Sequence, residues 1–371
     1  MKSDLHDFDA VLASTWSENS ETSSSGAGDL LERSLEPGLV LPALHSLTDF
    51  QDPASGLRSF GVTRESDWSI VARIGPGSSD LTWLQAGKEA SDALRGVIVT
   101  PNEFEPGVPG AKHTYPLANY VDAFGCEAEI PSPGDASAEI VVLEDPVSRS
   151  VKERTDCPPL SSGDGTVDGR YFGEWDSSIA EVACMTAAAA EYLMRQERHA
   201  RLRVLIPCDG ELPIAIARVR AARVLIRRVA RAFEHPFDRI QVWGLAGGRC
   251  QCPDRPTHQI RLTVACTAAV MGSCDVIVAE PFPELALSTA DSERLAVNTL
   301  RILRHESHLG FVNDAFGGSY YLEALTGQIV DGAWDAFLDI EDEGGLAKIA
   351  SSSTLTDILK TRIGGAGPYE D

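Results

Sequence analysis

Three features of this 371-residue sequence predict an α/β fold built as a (β/α)8 TIM-type barrel, complete or degenerate, behind an N-terminal helical and linker extension. First, apolar β-branched runs alternate with helix-patterned segments, which implies βαβ units and a parallel sheet. Second, six such runs, a short one near Phe311-Val312 and one near Val40-Leu41 or Phe60-Val62 approach the eight strands of a barrel. Third, no Gly-rich fingerprint follows the first strand, which weakens the alternative of a doubly wound open sheet.

Along the chain, residues 1–30 divide in two. Phe8, Val11, Leu12 and Trp16 share one face of a helix, and 17–28 is a Ser/Thr/Gly/Glu-rich linker. Such a tethered piece packs on a partner or on its own domain. The barrel is expected over 31–345. Its strands are Trp68 to Ile74, Gly96 to Thr100, Ala138 to Leu143, Arg203 to Ile206, Arg239 to Trp243 and Asp275 to Ala279. Its helices are Leu81 to Leu94, Tyr115 to Phe124, Ser177 to Arg195, Leu212 to Phe233, His258 to Met271, Ser292 to Leu303 and Tyr321 to Glu343. Glu144 to Asp168 is polar and reads as a long loop or insertion, and 346–371 as a C-terminal tail.

Composition narrows the function. A net charge of −23, from 55 acidic against 32 basic residues with Lys scarce, argues against nucleic-acid binding, because phosphate contacts need a basic face. The acidity fits either a high-salt cytoplasm or an ordinary acidic protein. No apolar run reaches the roughly 18 residues that span a bilayer, and no apolar leader follows Met1-Lys2-Ser3-Asp4, so a cytoplasmic location without membrane contact is expected. The eight cysteines are scattered, with Cys250 and Cys252 in C-x-C rather than C-x-x-C spacing. They read as buried hydrophobes, and no metal site is expected.

The segment from Arg304 to Glu323 is the most distinctive. A helix runs into a short apolar piece, then the Gly317-Gly318 turn, then the aromatic pair Tyr320-Tyr321 opening another helix. The glycines permit positive φ, Ser319 suits an N-cap, and Leu322 and Leu325 should face inward. Glu306, His308 and Asp314 fall near a candidate strand end, where barrels carry their sites. They serve either there or as braces of the helix–strand junction.

This order of residues resembles the methylmalonyl-CoA mutase family, with Asp314, Gly317, Gly318 and Tyr321 as its structural signature. Collinear matches extend the resemblance over about 167–345. Glu181-Val182-Ala183 and Glu191-Tyr192-Leu193 are similar to its E-L-A…E-Y-L helix. Arg220-Ala221-Ala222-Arg223 is similar to its R-A-A-R. Asp254 to Cys266 resembles a stretch in which Arg261 and Thr263 fall at the family's arginine and threonine, and Gly272 to Phe282 resembles its G-G-x-x-S strand. More faintly, Asp7 to Asp9, Trp16 and Pro37 to Pro42 resemble the opening of the family's small subunits.

The resemblance implies a radical isomerisation of a CoA ester that needs adenosylcobalamin and a barrel closed to water. It also shows what this sequence lacks. The cobalt-ligating D-x-H-x-x-G is absent, and the chain ends at Asp371, leaving no room for the domain that carries it. The catalytic Y-H-I-S-G-Y-H-M is replaced by Val167 to Trp175, without His, and the H-T-N by Val278-Ala279-Glu280. The aromatic, Arg-rich stretch that seats the CoA ester has no counterpart in 1–150.

The expectation is therefore the small (beta) subunit type of a heterodimeric mutase, shortened, inactive alone and stabilising the large catalytic subunit that carries adenosylcobalamin. No catalytic residue and no cofactor bound by this chain are expected. Glu306 and His308 are candidates for cofactor contact, and His258 and Arg261 for substrate. The alternatives are an active partial barrel that borrows a cobalamin domain from another chain, or a barrel repurposed for another ligand.

Overall fold

In a computed structural model, the structure describes residues 32–42, 60–62, 64, 68–74, 94–99, 120–122, 165–195, 202–247, 249, 252–282, 290–350 and 352–363. The expected N-terminal helix and linker, the strand at 138–143 and the helix at 81–94 lie outside them, except that Leu94 is described and belongs to a strand. Among the described residues no helix is long and apolar enough to cross a membrane.

A hairpin comes first, β1 (Glu32–Glu36) antiparallel to β2 (Leu39–Pro42), turning at Gly38 with φ 84°. A Cβ there would press Ile179 at 3.1 Å and the Ile363 backbone at 3.2 Å, so glycine is needed both for conformation and for space. The strand expected near Val40-Leu41 thus exists, but in this separate hairpin rather than in the main sheet.

The main sheet holds β3 (Ser69–Ile74), β4 (Leu94–Val99), β5 (Tyr120–Asp122), β6 (Gly165–Asp168), β7 (Leu202–Cys208), β8 (Ile240–Ala246) and β9 (Val276–Ala279). Their order is β5-β4-β3-β9-β8-β7-β6, parallel throughout except that β5 runs antiparallel to β4. The helices are α1 (Ser178–Arg195), α2 (Leu212–Ala232), α3 (Arg255–Met271), α4 (Ala290–His305), α5 (Tyr320–Asp342), α6 (Leu346–Ile349) and α7 (Ser353–Ile363).

Winding direction separates the two predicted topologies. The steps from β3 to β4 and from β6 through β7 and β8 to β9 all run the same way across the sheet, and β9 returns to pair with β3. Parallel crossovers are right-handed, so one direction of travel puts the helices on one face. A doubly wound sheet reverses direction and covers both faces. The packing agrees with single winding. Ile70, Val204, Ile206, Val242 and Ile277 join the helices in one core, whereas the opposite face gathers Val71, Leu205, Trp243, Leu245, Val276 and Val278 into a cluster made of strand residues alone. This alternation is the period-2 pleat expressed twice. Among the described strands, β5 and β6 form the two edges of the sheet and do not pair with each other.

Four expectations are corrected. Tyr115 to Phe124, expected as a helix, contains strand β5 at Tyr120–Asp122. Phe311-Val312 forms no strand; the segment is a run of turns, with left-handed φ at His308 (51°), Gly310 (87°) and Asp314 (49°). Phe60 to Val62 forms none either. The polar stretch 144–168 ends in β6, paired with β7 over Gly165 to Asp168. In addition, 346–363, expected as tail, carries α6 and α7, which bury Leu346, Ile349, Leu355, Leu359 and Ile363 in the helical core.

Candidate functional site

The C-terminal ends of parallel strands are where an α/β sheet presents chemistry, and here they carry a buried ionic cluster. Pro207 and Cys208 close β7, Asp209 follows, and Arg218 rises two turns into α2. The Arg218 guanidinium is 2% exposed. Its Nη1 donates to the Pro207 carbonyl at 3.2 Å and to Asp209 Oδ2 at 3.0 Å, its Nη2 to Glu36 Oε1 at 3.1 Å, and its Nε to Ser178 Oγ at 2.8 Å. Glu181 Oε2 lies 3.6 Å from Nε. Arg249, after β8, ion-pairs with Glu181 Oε1 and lies 3.6 Å from Asp209 Oδ2. Glu36 Oε2 accepts the Ser178 amide at 2.7 Å, capping the first turn of α1.

Two cations thus face three carboxylates drawn from the β1–β2 hairpin, α1, α2 and the loops after β7 and β8. Burial disfavours the Arg218 charge, but Glu181, Asp209 and Glu36 outweigh it and hold the pKa above the ordinary guanidinium value. Burial likewise pushes the Asp209 carboxyl up, and Arg218 and Arg249 more than reverse that, leaving it below its usual range. The Cys184 thiol, buried one turn along α1, is pushed up to about 12 by burial and by Glu181, so it is no nucleophile. Every charge in the cluster is committed to a neighbour in the protein, and the arrangement braces strand ends rather than offering a group to a ligand.

Neighbouring strand ends are equally filled. Glu280 ends β9, 6% exposed, with its amide donating to the Ala246 carbonyl at 2.7 Å. It presses on Gly247 (φ 136°), where an added Cβ would fall 2.5 Å from the Glu280 Cβ. Gly169, just beyond β6, would place a Cβ 2.6 Å from the Leu205 carbonyl and 2.7 Å from Met185 Sδ. Asp168 accepts from Arg170 through both oxygens, with Nη2 to Oδ2 at 2.7 Å. Above these ends, the helix-free face is occupied by Trp243 (1% exposed) and its five apolar neighbours.

The R-A-A-R arginines form two further braces. Arg220 is 0% exposed; it ion-pairs with Asp314, and its Nη2 donates to Glu323 Oε2 at 3.0 Å. Glu323 Oε1 accepts the Gly318 amide at 2.9 Å and its Oε2 accepts the Phe60 amide at 3.3 Å, while Asp314 Oδ2 accepts the Val62 amide at 3.0 Å. Arg223 Nη2 donates to the Ser273 carbonyl at 2.7 Å and meets Asp275 Oδ2 at 2.6 Å, and that oxygen accepts the Val242 amide at 2.8 Å. The E-Y-L glutamate, Glu191, takes the Ala347 amide at 2.6 Å and so caps α6.

The sequence-derived candidates separate. Asp314 is a brace, Gly318 adopts φ 83°, and Tyr321 packs against the helical core. Gly317 lies over Asp314, where a Cβ would come 2.9 Å from Oδ2. Ser319 is the N-cap by backbone, yet makes no side-chain cap bond, and Glu323 from the first turn reaches back to the Gly318 amide that precedes it. Glu306 and His308 are exposed beyond α4. His258 is 1% exposed and edge-on to Phe282 at 5.2 Å, whereas Arg261, one turn later on α3, is exposed. The two do not converge on a common point. The sequence reading misses the cluster around Arg218, although its signal is present: Arg218, Arg220 and Arg223 interrupt the apolar run from Leu212 to Ile226, and charges in such a position must find buried partners.

Comparison with known proteins follows the same boundaries. The sequence model of the family described as "Methylmalonyl-CoA mutase" matches residues 178–363. The chain is similar to the methylmalonyl-CoA mutase small subunit of Streptomyces virginiae, 33% identical over 204 residues, covering 52% of this chain and 33% of that protein. It is similar to the small subunit of Propionibacterium freudenreichii subsp. shermanii, 29% identical over 236 residues, covering 60% and 36%. It is also similar to a probable small subunit of Mycobacterium bovis, 25% identical, covering 91% and 65%. The chain therefore spans about a third of the first two relatives' length and 65% of the third's.

Proposed function

The chain belongs to the methylmalonyl-CoA mutase family, and on that premise we propose that it is the non-catalytic small subunit of a heterodimeric, adenosylcobalamin-dependent mutase. In that complex a large subunit isomerises methylmalonyl-CoA to succinyl-CoA, and this chain stabilises it. The likeness to methylmalonyl-CoA mutase small subunits supports the small-subunit reading.

One structural observation carries the non-catalytic part. A barrel that houses a CoA ester needs a cavity on the helix-free side of its strands and polar groups aimed into it. Here that face is packed with Val71, Leu205, Trp243, Leu245, Val276 and Val278, none more than 4% exposed. At the end of β9, where catalytic members of the family are expected to carry H-T-N, Glu280 is wedged against Gly247. The arginines that could hold phosphates or a carboxylate, Arg218, Arg220 and Arg223, are bound to Asp209, Asp314, Glu323 and Asp275.

The placement of the described histidines supports the expectation that adenosylcobalamin is held by the large subunit. His258 is enclosed within the helical layer, His235 bonds the Pro236 carbonyl at 3.1 Å, His305 ends α4 exposed, and His308 is exposed just beyond it. We read the ionic braces as the retained part of the family's design: they fix strand ends and helices for a partner to lean on.

Calorimetric titration tests this reading. Purified chain is expected to give no heat with adenosylcobalamin or methylmalonyl-CoA, and to co-purify with the co-expressed large subunit at one to one. Micromolar binding of adenosylcobalamin by the isolated chain would favour the partial-barrel alternative and sink the proposal.

A further inference from the structure

Glu341, near the end of α5, is a partly buried acid that none of the braces uses. The helix closes on Ile340-Glu341-Asp342, and the chain then turns through Gly344 and Gly345, whose φ of 99° and 95° are left-handed. The Gly344 amide donates to the Glu341 carbonyl at 2.9 Å and the Gly345 amide to the Ile340 carbonyl at 3.0 Å. Glu191 of α1 reaches into this turn. Its Oε1 accepts the Ala347 amide at 2.6 Å, and a Cβ on Gly345 would fall 2.9 Å from the same oxygen. Glu341 thus shares a corner with a carboxylate that is 4% exposed, and its own Oε1 is buried without a hydrogen-bond partner among the described residues.

The charges around this corner leave the second carboxylate uncompensated. From α1, Arg195 Nη2 meets Glu191 Oε2 at 3.1 Å, but the arginine side chain stands largely in water, which screens it. From α6, Lys348 Nζ donates to the Glu343 carbonyl at 2.7 Å. From α7, Arg362 is bound to Asp339 at 2.7 Å and to Asp335 at 3.4 Å. From α2, Arg228 lies over the Trp334 ring at 3.6 Å, two turns before Glu341, and Arg231 is exposed. On the same end of α5, Asp342 and Glu343 are exposed and add negative charge.

Burial, and after it the Glu191 charge, push the Glu341 carboxyl above its ordinary value of 4.5. A carboxyl raised in this way holds its proton more firmly in the folded chain than in the unfolded one. The stability it contributes is fully present below the unfolded value and is lost as pH rises through the folded one. The element nearest to the effect is the C-terminal clasp. α6 begins on the Glu191 bond, α6 and α7 pack Leu346, Ile349, Leu355, Leu359 and Ile363 onto the helical core, and α7 ends against the β1–β2 turn, where a Cβ on Gly38 would lie 3.2 Å from the Ile363 backbone.

We propose that Glu341 and Glu191 form a proton-operated latch that closes the α6–α7 clasp on α1 and the β1–β2 hairpin. With a proton taken from solvent, the Glu341 carboxyl donates to the Glu191 carboxylate and the clasp is held down. When that proton returns to solvent, two carboxylates face each other beside the Gly344-Gly345 turn, and α6 and α7 loosen. The latch tightens on mild acidification, the opposite sense to Asp209 in the Arg218 cluster, and it does not depend on the small-subunit reading.

Hydrogen exchange of the full chain, read by mass spectrometry at about pH 5, 6, 7 and 8 and corrected for the intrinsic pH dependence of exchange, tests the latch. In wild type, peptides covering 346–363 are expected to lose protection by roughly 3- to 10-fold between about pH 5 and pH 8, while those from β7 and β8 stay level. Glu341→Gln, whose amide can donate to Glu191 at every pH, should match wild type at about pH 5 and keep that protection at about pH 8. Glu191→Gln, which retains an acceptor for the Ala347 amide, should shrink the pH dependence. All three proteins carry the same eight histidines, so histidine titration cancels between them. A wild-type clasp whose protection does not change with pH, a Glu341→Gln clasp that loosens as much as wild type, or an undiminished pH dependence in Glu191→Gln would each overturn the proposal.

Discussion

Replacing Arg220 by Met removes the cation from the most deeply buried brace while keeping side-chain volume nearly constant. Arg220 and Glu323 are both 0% exposed and meet at 3.0 Å, and Asp314 is the second counter-ion. Taking one partner from a buried pair costs about 3–5 kcal/mol, because the remaining charge is left in a medium that cannot solvate it. Glu323 retains two backbone donors, Gly318 at 2.9 Å and Phe60 at 3.3 Å, which places the expectation near the lower end, about 3 kcal/mol. With an unfolding entropy of about 2.1 cal/mol/K per residue over 371 residues, the melting temperature should drop by roughly 4 °C. Adding Glu323→Gln removes the stranded carboxylate but preserves an acceptor, so the double variant should recover about 1 kcal/mol or more relative to Arg220→Met. Denaturant titrations of the four proteins give the cycle directly. A loss below about 1 kcal/mol for Arg220→Met, or strict additivity of the two changes, would refute the view that these charges form one coupled brace.

Three further outcomes follow from the same geometry. Gly169→Ala should cost about 1–3 kcal/mol by thermal melt, since its Cβ would fall 2.6 Å from a β7 carbonyl that cannot retreat without breaking sheet pairing. Asp209 has a folded-state pKa below its unfolded value, so its contribution is fully present above the unfolded value and is lost as pH falls through the folded one. Asp209→Asn should therefore destabilise the protein at pH 7 and show a shallower loss of stability between about pH 5 and pH 2 than wild type; equal acid limbs would contradict this. Of the cysteines described, Cys184, Cys208, Cys266 and Cys274 are buried and Cys252 is partly exposed. Maleimide labelling of the native protein followed by peptide mapping should modify Cys252 well before those four, and early modification of Cys184 would contradict its pKa of about 12.

Much of the fold could be read from the sequence because its longer elements declare their period. α1, α2 and α5 carry apolar residues along most of their length, and their ends fall within a residue or two of the predicted ones. Strands β7, β8 and β9 were legible as β-branched runs between those helices. The misreadings have a common cause. β5 and β6 are three and four residues long, too short to show a period, and they exist because β4 and β7 offer them an edge to pair with. Phe311-Val312 looked like a strand since apolar pairs in short runs usually seek burial, and only three-dimensional bracing shows them turned outward.

The candidate site was legible in its parts and not in its assembly. The R-A-A-R and E-V-A residues are family markers in the sequence, but their partners lie 37 to 103 positions away, from Glu181 to Arg218 and from Arg220 to Glu323. No local pattern encodes such a pairing. Nor does any local pattern tell that His258 would be enclosed while Arg261, three residues on, faces solvent.

The central claim is that this chain supports catalysis without performing it. It is tested most directly by assaying succinyl-CoA formation from methylmalonyl-CoA with adenosylcobalamin, using this chain alone, the large subunit alone and the two together. The account predicts no turnover by this chain, and turnover by the pair that outlasts that of the large subunit alone on warming. Succinyl-CoA formed by this chain alone, or a large subunit whose activity and thermal lifetime are unchanged by its presence, would contradict it.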